Sequence, residues 1–261
     1  MKIKEVMSAL ERFAPLPLQE DWDNAGLQIG LTEAEVSGAL LCLDVNEAIV
    51  DEAIAKGCNL IVSHHPLLFR GLKTISDADY VQRTAMKAVR NDIAVVSMHT
   101  NMDNARGGVN FKIAEKLGLV NVRFIEPRMV GGRESGSGVI GELAEPVEAE
   151  HLIKEVKRIF RVECLQCNQL LGRPIRRIAI CGGAGDFLLD KAVAEGADAF
   201  ITGEMHYHVY FGHEQQIQIC VAGHYQSEQY TNEIFRSIIQ EECPDVPVFM
   251  AETNTNPIIY F

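Results

Sequence analysis

A repeated pattern is the feature of this sequence that most restricts its fold. The apolar run Ala39–Cys42 is matched by Ile178–Cys181, at an offset of 178 − 39 = 139 residues. At the same offset, the segment Asp51–Gly57 is matched at four positions by Asp190–Gly196. Unrelated βα units share Ala, Gly and Asp by chance, but an ordered series of matches is harder to explain in that way. We interpret the sequence as two copies of one α/β unit, packed about a pseudo-two-fold axis.

Within the first copy, short apolar runs alternate with segments of helical pattern. The apolar runs are Ala39–Leu43, Leu60–Val62 and Ile93–Val96, and the helical patterns are Glu47–Lys56 and Tyr80–Arg90. Buried strands that alternate with helices predict a parallel or mixed sheet covered by helices on both faces. The expected fold class is therefore α/β, with two similar lobes whose mixed sheets are flanked by helices.

A stretch rich in glycine, serine and charge, Arg128–Ser137, separates the two halves of the sequence. This composition is typical of a loop, so we predict a first lobe over residues 1–127 and a second over residues 128–261, together forming one compact unit. In the second lobe, the pattern predicts a helix at Val147–Phe160 and a strand at Val162–Cys167.

Charge and hydropathy limit the classes of partner. The chain has 24 Lys and Arg against 36 Asp and Glu, a net charge of −12, with no Lys/Arg-rich run. Because nucleic acids are bound through basic clusters, neither nucleic acid nor an anionic membrane surface is an expected partner. No apolar run approaches the ~18 residues of a spanning helix, and Met1–Glu11 lacks the apolar core of a signal peptide. Together with seven dispersed cysteines, which fit reduced thiols, these features predict a cytoplasmic protein.

Two adjacent histidines follow a predicted buried strand at its carboxyl end, where ligands of open α/β sheets bind. His64 and His65 come directly after the run Leu60–Val62 and Ser63, and Pro66 then ends the strand. Both imidazoles can therefore turn toward one cavity. A lone histidine is more often a satisfied polar group, but an adjacent pair in this position is difficult to explain by packing.

A histidine followed four residues later by an acid occurs after the last predicted strand of each half. These pairs are His99 with Asp103 and His224 with Glu228. Residues four apart share one helical face, a spacing that can place two ligands on one metal, although either pair alone could be a surface ion pair. With the adjacent histidines, they bring three or four imidazoles and two carboxylates to one rim. This set is too large for one four-coordinate zinc and suits two divalent cations sharing a bridging carboxylate or hydroxide.

Two further segments contain motifs that local backbone structure can explain. The segment Asp21–Asn24, which contains the only tryptophan, fits a capped turn. The segment Cys181–Gly185 lies where backbone amides can cradle a phosphate, but it matches neither a dinucleotide fingerprint nor a P-loop. We interpret it as tight packing or a substrate-lining loop, and packing is the favoured interpretation.

The remaining candidates are thiols and polar residues near the second copy's strands. Cys164 and Cys167 form a CxxC without further suitably spaced ligands, so we interpret them as ordinary thiols. Glu204, His206 and His208 could line the metal cavity or lie on its outer wall.

Six motifs spread over nearly the whole chain resemble those of the Ngg-one-interacting-factor-three-like family, the GTP cyclohydrolase I type 2 homologues. In order, they are Asp21–Leu27, Ser63–Pro66, His99–Asp103, Cys181–Gly185, Thr202–Glu204 and His224–Glu228. The resemblance implies two similar α/β lobes with two divalent cations in the cleft between them, and a ring-shaped homohexamer. Some members of the family carry an extra domain between the lobes, which this chain lacks.

The resemblance also assigns metal ligands. The family's ligands fall on five residues of the expected type, namely His64, His65, Asp103, His224 and Glu228. His99 is not among them, which leaves it to support a ligand or to act as a catalytic proton shuttle. A site rich in nitrogen and oxygen, without thiolate, suits Zn, Fe, Mn or Mg.

Three functions follow from these expectations. In a metal-dependent hydrolase, two cations would activate water toward a phosphoester, an amide or a nucleotide ring, and the family name favours the ring opening of a purine nucleotide. A non-catalytic metal-binding scaffold or regulatory protein would use the same ligands and act through partners. A ring that encircles nucleic acid is disfavoured by the net charge of −12.

Overall fold

The apolar runs of the sequence form the strands of two mixed sheets in the computed structural model, which describes residues 1–259. The first sheet belongs to a unit made of Met1–Met102 and the chain from Thr231 onward. The second sheet belongs to a unit made of Asp103–Tyr230. Helices flank the sheets, so the predicted α/β class is confirmed.

The first unit contains a five-stranded sheet. Its strands are β1 (Gly26–Ile29), β2 (Ala39–Cys42), β3 (Leu60–Ser63), β4 (Ala94–Ser97) and β11 (Val248–Met250). The spatial order is β1-β4-β3-β2-β11, and β1 alone runs antiparallel to its neighbour. Every residue of β2, β3 and β4 is buried, which explains why these strands are continuous apolar runs in the sequence.

In the part of the chain that the structure describes, five α-helices accompany this sheet. They are α1 (Ile3–Phe13), α2 (Glu47–Ala55), α3 (Tyr80–Arg90), α4 (Thr100–Asp103) and α9 (Thr231–Glu242). The helices predicted at Glu47–Lys56 and Tyr80–Arg90 begin at side-chain caps. Asn46 accepts a hydrogen bond from the backbone N–H of Ile49 at 3.0 Å, and Asp79 accepts one from Gln82 at 2.9 Å.

The second unit contains a six-stranded sheet in the order β5-β6-β8-β9-β10-β7. Its strands are β5 (Val120–Val130), β6 (Arg133–Val147), β7 (Gln166–Cys167), β8 (Ile175–Ala184), β9 (Ala199–Glu204) and β10 (Gln218–Val221). Its helices are α5 (Val109–Lys116), α6 (Ala149–Phe160), α7 (Leu189–Ala194) and α8 (His224–Glu228). Strands β8, β9 and β10 are parallel, and β7 pairs antiparallel with β10.

Four strands of each unit have the same arrangement. In each unit three parallel strands lie side by side in chain order, β2-β3-β4 in the first and β8-β9-β10 in the second. An antiparallel edge strand pairs with the last of the three in both, β1 with β4 and β7 with β10. The repeated segments of the sequence therefore occupy equivalent positions in their sheets.

The prediction of a loop at Arg128–Ser137 is wrong, because this segment is the tip of the β5–β6 hairpin. Only Gly131 and Gly132 form the turn, and both have positive φ, as a two-residue hairpin turn requires. Gly136 lies within the ladder, where a Cβ atom would come within 2.2 Å of the carbonyl oxygen of Glu126. A glycine is therefore needed at position 136 because the neighbouring strand lies too close for a side chain.

Other boundaries differ from the predicted ones. The helix predicted from Val147 begins at Ala149, because Val147 still pairs with Ile175 in the sheet. The strand predicted at Val162–Cys167 is limited to its last two residues.

The predicted lobes, residues 1–127 and 128–261, do not coincide with the two units. After α8 the chain rejoins the first unit, where β11 pairs with β2 and Arg12 of α1 forms a 2.6 Å ion pair with Glu242 of α9. Among the described residues, no helix combines the length and the hydropathy that crossing a membrane requires.

Candidate metal centre

The adjacent histidines extend β3 beyond its last assigned residue. The backbone N–H groups of His64 and His65 donate to the carbonyls of Cys42 and Leu43, at 3.2 and 2.9 Å. The two histidines therefore remain paired with the segment that contains the end of β2. Ser63 fixes the turn that comes next, because its hydroxyl donates to the carbonyl of His65 at 2.9 Å. The sequence thus places two imidazoles at the carboxyl end of a buried strand, as predicted.

The ring of His64 is fully buried and held in one tautomer. Its Nδ1 atom lies 2.9 Å from the backbone carbonyl oxygen of Met98. A carbonyl only accepts, so Nδ1 carries the proton and the lone pair resides on Nε2. A neutral imidazole in this tautomer is a ready metal ligand through Nε2.

A carboxylate orients His65 in the same sense. Nδ1 of His65 donates to Oδ1 of Asp44 at 2.8 Å, and the hydroxyl of Thr255 donates to Oδ2 at 2.8 Å. The arrangement of carboxylate and histidine is the one that commonly supports a metal-bound imidazole, because it fixes the ring and raises its basicity.

His99 is held by a second carboxylate. Nδ1 of His99 lies 2.7 Å from Oδ1 of Asp23, and the backbone N–H of Thr100 donates to Oδ2 at 3.0 Å, with a further bond from the Thr100 hydroxyl. Burial opposes the ionisation of Asp23, but its bonds with His99 and Thr100 outweigh that effect and lower the pKa of the carboxyl to about 2. Asp23 is therefore an anion throughout the neutral range.

The three imidazoles form one cluster. The ring centroids lie 4.9 Å apart for His64 and His65, 5.3 Å for His64 and His99, and 5.4 Å for His65 and His99. One potential ligand atom from each lies within 4.8 Å of the others, which is close enough to hold a metal ion. The family resemblance leaves His99 outside the ligand set, and the structure places it beside two predicted ligands.

In the second unit, α8 carries a histidine and a glutamate on one helical face. Nε2 of His224 lies 3.2 Å from Oε2 of Glu228, the geometry expected from their spacing of four. Nδ1 of His224 lies 3.1 Å from Oε1 of Glu204, at the carboxyl end of β9. Glu204 is thus the residue of its motif that reaches the predicted ligands. His206 instead pairs with Asp186 at 2.5 Å.

Glycines of β8 and β9 allow α8 to lie close to the sheet. A Cβ atom on Gly183, whose φ is +63°, would come within 2.4 Å of Oε1 of Glu228. A Cβ atom on Gly203 would come within 2.5 Å of the Ser227 hydroxyl, which accepts a 2.9 Å bond from the Gly183 N–H. The Cys181–Gly185 segment therefore serves packing, and it packs against a predicted ligand.

The carboxylate of Asp103 also lies in this part of the second unit. Burial raises the pKa of the Cys181 thiol, and the negative charges of Asp103, Glu228 and Asp186 raise it further. The backbone carbonyl of Asp103 accepts a 3.2 Å bond from the side chain of Asn110, which fixes the end of α4. Asp103 and Glu228 thus add negative potential to the same region, as a cation site requires.

Cysteines contribute no ligand to either set of residues. All seven are free thiols, and Cys164 is exposed. Cys167 lies opposite Cys220 in the β7–β10 ladder, and a hydrogen bond with the Cys220 thiol lowers the pKa of Cys167. The CxxC motif therefore brings no pair of thiols to the histidines.

Comparisons with known proteins find relatives over nearly the whole chain. A profile of the family described as Duf34/NIF3 (NGG1p interacting factor 3) matches residues 1–257. This chain belongs to the Duf34/NIF3 family. Among relatives of this NIF3 family member, a GTP cyclohydrolase 1 type 2 homolog of Lactococcus lactis is 33% identical over 263 residues, 98% of each chain. The NIF3-like protein 1 of Drosophila melanogaster is 33% identical over 269 residues, 99% of this chain and 89% of the fly protein.

Solved structures share the fold. A Staphylococcus aureus hypothetical protein superposes with a TM-score of 0.91 at 28% identity, covering 100% of this chain and 99% of that one. A Bacillus cereus protein related to NIF3 gives a TM-score of 0.88 at 25% identity, with the same coverage. The family resemblance read from the six motifs is therefore confirmed.

Sequence patterns do not identify two of the three acidic residues that orient these imidazoles. Asp44 follows β2 at its carboxyl end, the same signal that identified the histidines after β3. Asp23 lies in the segment interpreted as a capped turn, and Glu204 was one of several candidates at the end of β9. Each acts by orienting an imidazole, a role that short spacing patterns do not reveal because the partner lies far along the chain.

Proposed function

We propose that this chain is a metal-dependent hydrolase that binds two divalent cations and acts on a nucleotide or phosphoester-like substrate. The observation that carries the proposal is the common state of three imidazoles. In each ring, the Nδ1–H group donates a hydrogen bond to a carbonyl or carboxylate oxygen at 2.7 to 2.9 Å. The lone pair of the neutral ring therefore lies on Nε2. Histidines that serve only packing have no need of one shared tautomer in one cluster.

The proposed metal ligands are the five residues that the family resemblance assigns. They are His64, His65, Asp103, His224 and Glu228. Their donor atoms are nitrogen and oxygen, which suits Zn, Fe, Mn or Mg. When bound, such cations lower the pKa of a coordinated water and polarise the substrate.

The protein's own contribution to the reaction would centre on His99. The ionised Asp23 keeps the proton on Nδ1 of His99 and stabilises the imidazolium, so that Nε2 can take up and release a proton. The same bond fixes the ring beside His64 and His65. We assign His99 the role of the proton shuttle and Asp23 that of its positioning residue.

Assembly and location complete the proposal. The family resemblance, together with the prevalence of closed symmetry among soluble oligomers, supports a homohexamer. The free thiols of all seven cysteines support a reducing compartment, the cytoplasm.

Metal content and turnover, measured together, test the proposal. Protein purified without chelators should hold about two divalent cations per chain by elemental analysis, and it should hydrolyse at least one member of a panel of nucleotides, phosphoesters and amides. His64→Ala should lose at least one cation and keep its fold, since a core of this size does not depend on metal. The matched control is His213→Ala, which replaces a half-buried histidine whose Nδ1 contacts the side chain of Gln216.

Two outcomes would contradict the proposal. Full metal occupancy in the double variant Asp103→Ala, Glu228→Ala would show that the ligands are wrong. Fully loaded protein without any turnover across the panel would favour a metal-binding scaffold that acts through partners.

A further inference from the structure

Two exposed aromatic rings lie beside the histidine cluster of the first unit. Trp22 is 60% exposed and Phe69 is 44% exposed. Their ring centroids are 5.8 Å apart, and each lies about as far from the ring of His99, at 6.0 and 6.2 Å. The two rings therefore lie at the part of the surface where a substrate of the cluster would be bound.

Hydrogen bonds hold the two ring-bearing segments together. The side-chain amide of Asn24 donates to the carbonyl of Leu68 at 2.7 Å. The side chain of Gln28 accepts from the Leu68 N–H at 3.1 Å and donates to the Asn24 carbonyl at 2.6 Å. Since Leu68 precedes Phe69 and Asn24 follows Trp22 by two residues, this clamp fixes both rings at the surface before any ligand binds.

The neighbour of Trp22 links the clamp to the cluster. Asp23 lies between Trp22 and Asn24 and makes the 2.7 Å bond to His99. In the capped turn predicted at Asp21–Asn24, three consecutive side chains therefore make different contacts. Asp23 orients an imidazole, Asn24 binds the neighbouring loop, and the ring of Trp22 is exposed to solvent.

The chemistry of the rings selects the ligand. Trp22 and Phe69 are inclined at 50° and do not stack on each other, so neither ring covers the face of the other. The residues next to each ring in the chain, Asp21 and Arg70, are charged and exposed. A protein partner needs several hundred Å² of surface, whereas a planar heteroaromatic ring needs only such a face.

We propose that Trp22 and Phe69 bind the heteroaromatic ring of the ligand, such as a nucleobase, by stacking, and thereby place it beside His99. This inference rests on the proposed function for the identity of the site, and it extends that function by assigning the part that recognises the ring. It assigns binding to Trp22 and Phe69, and no chemical step.

The chain carries its own reporter for this site, because Trp22 is its only tryptophan. The four nucleoside monophosphates with adenine, guanine, cytosine and uracil should be titrated into chelator-treated protein while tryptophan fluorescence is recorded. We expect saturable quenching by at least one of them and none by ribose 5-phosphate, which shares the sugar and phosphate but lacks the ring. No metal and no turnover are involved, so failure of the proposed hydrolase leaves this result intact.

Variants separate stacking from indirect effects. Phe69→Ala keeps the reporter and should weaken binding of the best nucleotide by roughly 5- to 100-fold, the usual effect of removing one stacking ring. Trp22→Phe, followed by calorimetry, should retain most of the affinity that Trp22→Ala loses. The matched control is Phe187→Ala, which removes an aromatic ring of similar exposure (61%) from the second unit and should change nothing.

Three results would overturn the inference. They are the absence of saturable quenching by all four nucleotides, equal quenching by ribose 5-phosphate, and unchanged affinity in Phe69→Ala. Melting temperatures of all variants should lie close to that of the wild type, because the replaced rings are exposed.

Discussion

Oδ1 of Asp23 lies 2.7 Å from Nδ1 of His99, and the Asp23 side chain is entirely shielded from solvent. The bond joins a segment before β1 to a residue after β4, so it ties the start of the chain to the histidine cluster. A buried carboxylate that is kept ionised by its partners contributes to stability in a way that depends on pH.

Replacing Asp23 by asparagine should remove this dependence. The pKa of the carboxyl falls from 3.8 to about 2 on folding, so its stabilisation is present above pH 4 and is lost as the pH falls toward 2. The contribution is about 2 kcal/mol near neutrality. Urea unfolding of wild type and Asp23→Asn should therefore differ most at pH 6 and converge as the pH approaches 2. Parallel pH profiles would show that the Asp23 bond adds no linked stability.

His99→Asn tests the proton shuttle apart from metal binding. The variant should keep both cations by elemental analysis, melt within a few degrees of the wild type, and lose roughly 10²- to 10⁴-fold in turnover. His64→Ala should instead lose metal and activity together. Unchanged turnover in His99→Asn would show that His99 is not the proton shuttle and has only a structural role.

Asp44→Asn should weaken metal binding without removing a ligand. Loss of the charge that faces Nδ1 of His65 reduces the basicity of the imidazole and loosens its orientation, which typically costs 10- to 100-fold in metal affinity. Zinc affinity can be measured by competition with a chromophoric chelator. Asp77→Asn, a change to an exposed carboxylate outside the cluster, is the control and should bind as the wild type does.

Gly183→Ala and Gly57→Ala form a matched pair. Both glycines have similar backbone angles, with φ of +63° and +69°, so both variants share the strain of a left-handed residue. Only at Gly183 would the new Cβ meet Oε1 of Glu228, at 2.4 Å, whereas nothing lies within 4 Å at Gly57. We expect Gly183→Ala to lose about 1–3 kcal/mol more stability and to hold less metal. Equal losses in both variants would show that Glu228 moves aside freely.

Much of the site could be predicted because its main signals are local. His64 and His65 follow an apolar run directly, and the spacing of His224 and Glu228 fixes their shared helical face. The orienting groups could not be predicted in this way. Asp44 and Thr255 support one ring from positions 21 and 190 residues away from His65, and only the folded chain brings them together (65 − 44 = 21; 255 − 65 = 190).

The fold was predictable to a similar extent. Buried parallel strands such as β2 and β3 have a continuous apolar pattern, and they were located to within a residue. The β5–β6 hairpin was missed because its glycines serve strand contact at Gly136 as well as the turn at Gly131 and Gly132. Composition does not distinguish these two uses of glycine.

The return of the chain to its first unit has a consequence for folding order. Strand β11 completes the first sheet by pairing with β2, yet 128 residues of the second unit separate the two parts of the first (230 − 103 + 1 = 128). During synthesis, the edge of β2 that later pairs with β11 stays unpaired until the residues from Thr231 onward have emerged. Unpaired backbone groups at such an edge can pair with other chains. The second unit can fold within this interval and shorten the loop that must then be closed, which lowers the entropic cost of adding β11. Variants in which the second unit folds more slowly should therefore aggregate more, through the unpaired edge of β2 in the first unit.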